Sequence, residues 1–182
     1  MDRRQFMKVL IGTGVTISGI TGAVTPRTAQ AQSSVLTAGP SGGTGGTSFN
    51  DTIPTPGQVV QVHVRSGYRI DGIQIVNTFP NGRRFDQRWR GGNGGTLHTI
   101  ELDQDEYLIA MAGTIGTKGK SSLRVFSLTF QTNKRTSPEY GCRGSTPFVY
   151  QAPPGFEIAG LFGRAGKEID AIGVMFRQIT LS

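Results

Sequence analysis

Residues 67–82 read GYRIDGIQIVNTFPNG. Ile70, Gly72, Gln74 and Val76 fall on one face of an extended segment and Asp71, Ile73, Ile75 and Asn77 on the other, the period of two that a strand shows. Pro80, Asn81 and Gly82 then supply turn residues and the positive φ of a hairpin connection. The same period recurs in QVVQVHVRS (58–66), GTLHTIEL (95–102), YLIAMAG (107–113), SLRVFSLTFQT (122–132), FEIAGLFGR (156–164) and AIGVMFRQITL (171–181). Turn residues punctuate these runs in TPGQ, FPNGRR, RGGNGG, TNKRTSP and APPG. No window of eleven or more residues carries a clean helical stripe, so the pattern predicts an all-β domain: a sandwich, barrel or prism.

The chain has 182 residues, enough for one domain with a real core. Its opening reads differently. MDRRQFMK places the pair Arg3 and Arg4 before Phe6 and Lys8, and VLIGTGVTISGITGAV follows as a moderately apolar, glycine-rich run. Ala29 and Ala31 are the small residues of a cleavage site after Ala31, so residues 1–31 read as an export signal of the twin-arginine type. A membrane anchor fits less well, because the apolar run is shorter than the roughly 20 residues that span a bilayer and Gly12, Gly14, Gly19 and Gly22 weaken it as a helix. The expected product is a periplasmic or secreted protein of bacterial origin, with a short linker over 32–37 and the domain over 38–182.

Charge and cysteine content narrow the function classes. The full chain is formally +7, from 19 Lys+Arg and 12 Asp+Glu; cleavage after Ala31 leaves 15 against 11, a mild +4. A nucleic-acid binder would cluster basic residues with stacking aromatics, and only Arg83, Arg84, Arg88 and Arg90 around Trp89 approach that, where a solvated hairpin rim explains them as well. Cys142 is the single cysteine, and His63 and His98 each sit inside an alternating run, so neither a disulfide nor a metal site is expected. Asp103, Gln104, Asp105 and Glu106 read as a charged turn, with no room for a twelve-residue calcium loop.

Catalytic motifs fail on context. GTIGTKGKSS ends like a phosphate-binding loop, but Thr114 stands where the first glycine is required and a strand follows instead of a helix. Neither histidine lies near a nucleophile elbow. Glu168 and Asp170 could pair for glycoside hydrolysis, yet no apolar residues surround Glu168 in sequence to raise its pKa. No catalytic residue and no cofactor is expected.

What remains is a glycine-rich stretch near the start and Asp170 at a tight bend between the last two strands. GPSGGTGG (39–46), SLTFQTNKRTSPEYGCRGSTPF (127–148) and GRAGKEIDAIGV (163–174) together resemble the jacalin-related lectins: their glycine loop, their S-L-x-F-x-T-N-K core and their sugar-binding loop with G-x-x-x-D. The resemblance runs in the family's order over roughly residues 38–180. It implies a β-prism of three four-stranded Greek-key sheets about a pseudo-threefold axis, with first and last strands in one sheet, which would bring residues 46 and 170 together.

By that resemblance, Asp170 is the carboxylate acceptor for sugar hydroxyls, the N–H groups of Lys167 and Glu168 are donors, and the N–H of Gly46 reaches a hydroxyl from the glycine loop. The chemistry suits a hexose: a carboxylate accepts charge-assisted hydrogen bonds from adjacent hydroxyls while loop amides donate to ring and exocyclic oxygens. Two departures stand out. Lys167 and Glu168 carry long side chains whose mutual ion pair would cover the site, and MAGTIGTKGK (111–120), which resembles the family's recognition loop, offers Thr114 and Ile115 instead of a stacking aromatic. Affinity for one sugar is therefore expected to be about millimolar, roughly 4 kcal/mol, with useful avidity coming from several sites, as in a homo-oligomer. In the family an uncleaved glycine loop goes with mannose or glucose preference; Gln32, the expected mature terminus, precedes Gly46, so mannose/glucose-type glycans are the expected partner. The alternative is a β-prism serving as a structural or protein-interaction module with a vestigial sugar site.

Overall fold

Strands β3 (Gln58–Ser66) and β4 (Ile70–Thr78), the second of them the alternating run around residue 70, pair through a turn at 67–69 in a computed structural model that describes residues 35–117 and 122–179. Gly82 adopts φ +77° in the next turn, where its N–H donates to Phe79 O at 2.9 Å. The other strands are β1 (Leu36–Gly42), β2 (Thr47–Asn50), β5 (Arg84–Asp86), β6 (Arg90–Gly91), β7 (Thr96–Glu101), β8 (Leu108–Gly116), β9 (Arg124–Thr132), β10 (Tyr140–Gly141), β11 (Thr146–Gln151), β12 (Phe156–Ala165) and β13 (Ile169–Gln178). The export signal expected over residues 1–31 lies outside the described residues.

These strands build three antiparallel sheets, ordered β1-β13-β12-β2, β10-β9-β8-β11 and β5-β4-β3-β7, with β6 also paired to β4. Each sheet centres on one hairpin of long strands and takes its outer strands from a short glycine-bearing pair elsewhere in the chain. The arrangement is the expected β-prism, and β1 does pair with β13, from Leu36↔Phe176 to Gly42↔Ala171. In the third sheet the outer position is split between β5 and β6. Gln87 between them turns inward, is 4% exposed, and donates from its side-chain amide to Asn77 Oδ1 at 3.2 Å, so the edge cannot run straight.

Of the outer strands, β7 was legible as GTLHTIEL, whereas the others were not. β1 opens at Leu36, inside the stretch read as a linker over 32–37, and the glycine-rich segment holds two edge strands instead of one loop. β11 (TPFVYQ) was likewise not separated from its surroundings; it is an edge strand that leaves Val149 65% exposed while Phe148 and Tyr150 pack against the core. The central strands were legible because their inner faces are apolar: Val62, Val64, Ile73, Ile75, Leu128 and Ile172 are fully buried, each worth about 1.5–3 kcal/mol on burial.

Each central hairpin carries a one-residue register shift beside its turn. Arg65 opposes Gly72 while Ser66 opposes Ile70, leaving Asp71 unpaired; Thr114 opposes Ser127 while Ile115 opposes Val125, leaving Phe126; Arg164 opposes Ala171 while Ala165 opposes Ile169, leaving Asp170. Such a bulge bends the strand and re-aims one side chain toward the end of the sheet.

The turn over Asp103–Glu106 is not simply solvated. Glu106 is fully covered; its carboxylate accepts from Arg135 Nε at 2.8 Å, from Thr132 Oγ1 at 2.7 Å and from the Asp103 N–H at 3.1 Å. The Arg135 hydrogen bond leads in holding its pKa at about 2, against an ordinary 4.5. A carboxyl depressed in the folded state stabilises the fold above the unfolded value and loses that contribution as pH falls from about 4.5 toward 2. Glu106→Gln should therefore lower Tm at pH 7 and flatten the fall in Tm between pH 5 and 2; an acid limb as steep as the wild type would show that other carboxylates set it.

Candidate binding site

Asp170 is where the glycine-rich stretch and the last hairpin meet. The β12–β13 turn closes with the Gly166 N–H donating to Glu168 O at 3.0 Å, and the bulge then turns Asp170 toward the β1–β2 connection. The Gly43 N–H donates to Asp170 O at 2.8 Å, tying the glycine segment to the bulge. Gly46, at φ +61°, lies so close that a Cβ there would stand 2.5 Å from Asp170 Oδ2 and 2.6 Å from Ala165 O. At Gly45 a Cβ would collide with Asp170 Oδ1. Only glycine allows both the left-handed backbone and this approach. Arg164 fixes the segment from outside, donating to Gly45 O at 2.8 Å and Gly46 O at 2.7 Å.

The carboxylate is 2% exposed, and its Oδ1 accepts no hydrogen bond among the described residues. Arg124 Nη1 lies 2.9 Å from Oδ1 but donates instead to Leu123 O, so the contact is an ion pair without an aligned N–H. A buried acceptor left in this state retains hydrogen-bonding capacity for a ligand's hydroxyl. The N–H groups of Gly46, Lys167 and Glu168 likewise meet no protein acceptor among the described residues. One buried anion and three amides therefore border the same end of the prism.

Two sequence expectations change. Glu168 does not pair with Lys167: its Oε1 takes Arg69 Nη2 at 2.8 Å and its Oε2 lies 3.6 Å from Arg124 Nε, so its carboxylate is drawn toward the other two hairpins. Thr114 and Ile115, expected in a recognition loop, are placed in a strand. They lie in β8, where Thr114 is 5% exposed and its hydroxyl bonds Ser127 Oγ and the Gly144 N–H, both at 2.7 Å, while Ile115 is half-buried against the core. Leu123 and Arg124, at the start of the β8–β9 hairpin's second strand, reach the site: Leu123 O lies against Gly43, and Arg124 stands beside Asp170. Arg124 and Arg164 were missed, because nothing in local sequence says that either side chain ends beside residue 170.

The chain matches the family model described as Jacalin-like lectin domain over residues 38–175. Horcolin of Hordeum vulgare is 39% identical over 137 residues, which is 74% of this chain and 92% of that protein. The structure of AcmJRL, described as a mannose binding jacalin related lectin from Ananas comosus, has a TM-score of 0.72 and 34% identity, covering 80% of this chain and 99% of that one. Artocarpin, solved as a mannotriose complex, has a TM-score of 0.71 and 30% identity, covering 80% of this chain and 99% of its own.

Proposed function

This chain belongs to the jacalin-like lectin family, whose members are non-catalytic carbohydrate-binding proteins, and on that premise we propose that it binds mannose- or glucose-type glycans after export from a bacterial cell. The observation that carries the sugar reading is Asp170 Oδ1, buried without a hydrogen-bond donor beside the Gly46, Lys167 and Glu168 amides. Two adjacent hydroxyls of a hexopyranoside can donate to the carboxylate while the amides donate to ring and exocyclic oxygens. Mannose is favoured because AcmJRL is described as mannose binding and artocarpin holds a mannotriose. The test is retention of the full chain on a mannose matrix with elution by methyl α-D-mannopyranoside but not by the galactoside. Elution by galactoside alone would reverse the preference.

Export rests on Arg3, Arg4, the glycine-rich apolar run and Ala29-Gln30-Ala31. Expressed in a bacterium with an intact twin-arginine pathway, the protein should appear outside the cytoplasm with Gln32 as its first residue. Full-length protein confined to the cytoplasm would overturn that part.

One observation favours the module with a vestigial site: Arg124 already stands 2.9 Å from the carboxylate and could hold it against a sugar. An immobilised-glycan survey without a single binder would support this second reading.

A further inference from the structure

The cations around the candidate site outnumber its anions. Glu168 and Asp170 are its two carboxylates, and both are engaged: Arg69 and Arg124 lie 2.8 and 3.6 Å from Glu168, and Arg124 lies 2.9 Å from Asp170. Arg164 and Lys167, on the β12–β13 hairpin that carries the site, pair with no carboxylate among the described residues. Asp71 and Arg65, on the neighbouring hairpin, add one charge of each sign and leave the sum unchanged. Arg164 is fixed in place: its Nε donates to Gly45 O and its Nη2 to Gly46 O, which holds the guanidinium beside the glycine whose N–H meets no protein acceptor. Those two bonds leave the Nη1 hydrogens and one Nη2 hydrogen for a ligand, an edge that takes a carboxylate or phosphate through two parallel hydrogen bonds. Lys167 is exposed at the turn, and its backbone is pinned against the β6–β7 connection, where a Cβ on Gly92 would stand 2.5 Å from Lys167 O. Its ammonium adds a second point charge on the same rim.

We propose that the site takes an acidic glycan: a mannose- or glucose-type residue whose neighbouring position carries a carboxylate or a phosphate. The proposal rests on the sugar reading of the site. Neutral hydroxyls meet Asp170, and the anion meets Arg164 and Lys167. The anion does not sit on the hydroxyls that face Asp170, because two like charges at hydrogen-bond distance repel each other where water is excluded. It belongs on the anomeric substituent or on the next residue of the chain. Both cations reach solvent, so each attraction is modest and screened by salt. Two of them acting on one anion favour the acidic ligand by about tenfold.

Amide NMR of the full chain, titrated separately with methyl α-D-mannopyranoside, α-D-mannopyranosyl phosphate and a mannose α-linked to glucuronate, tests this. At about 50 mM salt one or both acidic ligands should bind about tenfold tighter than the neutral glycoside, and the ratio should fall toward one at about 500 mM. Which acid is preferred identifies the anion as phosphate or carboxylate. Arg164→Gln and Lys167→Gln should each lower the ratio by about threefold, whereas Lys167→Arg should keep it. The ratio within each variant is the readout, so a general loss of affinity from a loosened glycine segment does not imitate the effect. If Arg164→Gln fails to fold, Lys167→Gln carries the test alone. Equal Kd values for the three ligands, or a preference that survives the neutral variants or the added salt, overturn the acidic-glycan proposal and leave the lectin reading standing. Failure of all three ligands to shift the Gly46, Lys167 and Glu168 amides overturns both.

Discussion

Asp170→Asn is expected to weaken methyl α-D-mannopyranoside binding at the Gly46, Lys167 and Glu168 amides by about 100-fold or more, with the fold unchanged. The side chain keeps its shape but loses its charge and turns one acceptor into a donor. Hydrogen bonds to a charged acceptor are each worth about 1.5–3 kcal/mol, so losing two takes a millimolar site beyond measurement. Stability should barely move, because the Arg124 partner is itself partly solvent-exposed and its ion pair with Asp170 lacks an aligned N–H. Shifts in D170N that saturate at the wild-type midpoint would remove Asp170 from sugar recognition.

Arg177→Met should have the largest effect on stability, about 3–5 kcal/mol in urea denaturation. Arg177 and Glu157 are both buried, at 4% and 6% exposure. Arg177 Nε and Nη2 donate to Glu157 Oε1 at 2.8 and 2.6 Å, and Nη1 donates to Pro54 O at 2.9 Å. Burial pushes the Glu157 carboxyl up and Arg177 draws it back. Removing the arginine leaves an uncompensated anion and an unsatisfied carbonyl in the interior. The double variant Glu157→Leu/Arg177→Met should recover much of the loss, since well-packed apolar residues often replace a buried pair at little cost. A double variant no better than Arg177→Met would mean that the Pro54 contact, not the ion pair, carries the effect.

The two effects separate binding from folding. Asp170 sits at an end of the prism, on a bulge beside a turn, where a change of charge is felt by a ligand. Arg177 sits near the far end of the same strand, β13, where its side chain is buried against Glu157 and Pro54.

What local sequence determined was the β-period of the central strands, the turn at Gly82 and the special character of residues 39–46 and 166–170, because burial on alternate faces and positive φ act over a few residues. The edge strands other than β7 escaped notice, since an exposed edge needs neither apolar alternation nor length. Only the tertiary structure decided that Glu168 pairs with Arg69 and Arg124 instead of Lys167, that Thr114 is spent inside β8, and that Asp71 and Asp170 occupy matching bulges. Those facts depend on which hairpin turns meet at one end of three sheets, and partners 44 to 99 positions apart are chosen by sheet packing, not by their neighbours in the chain.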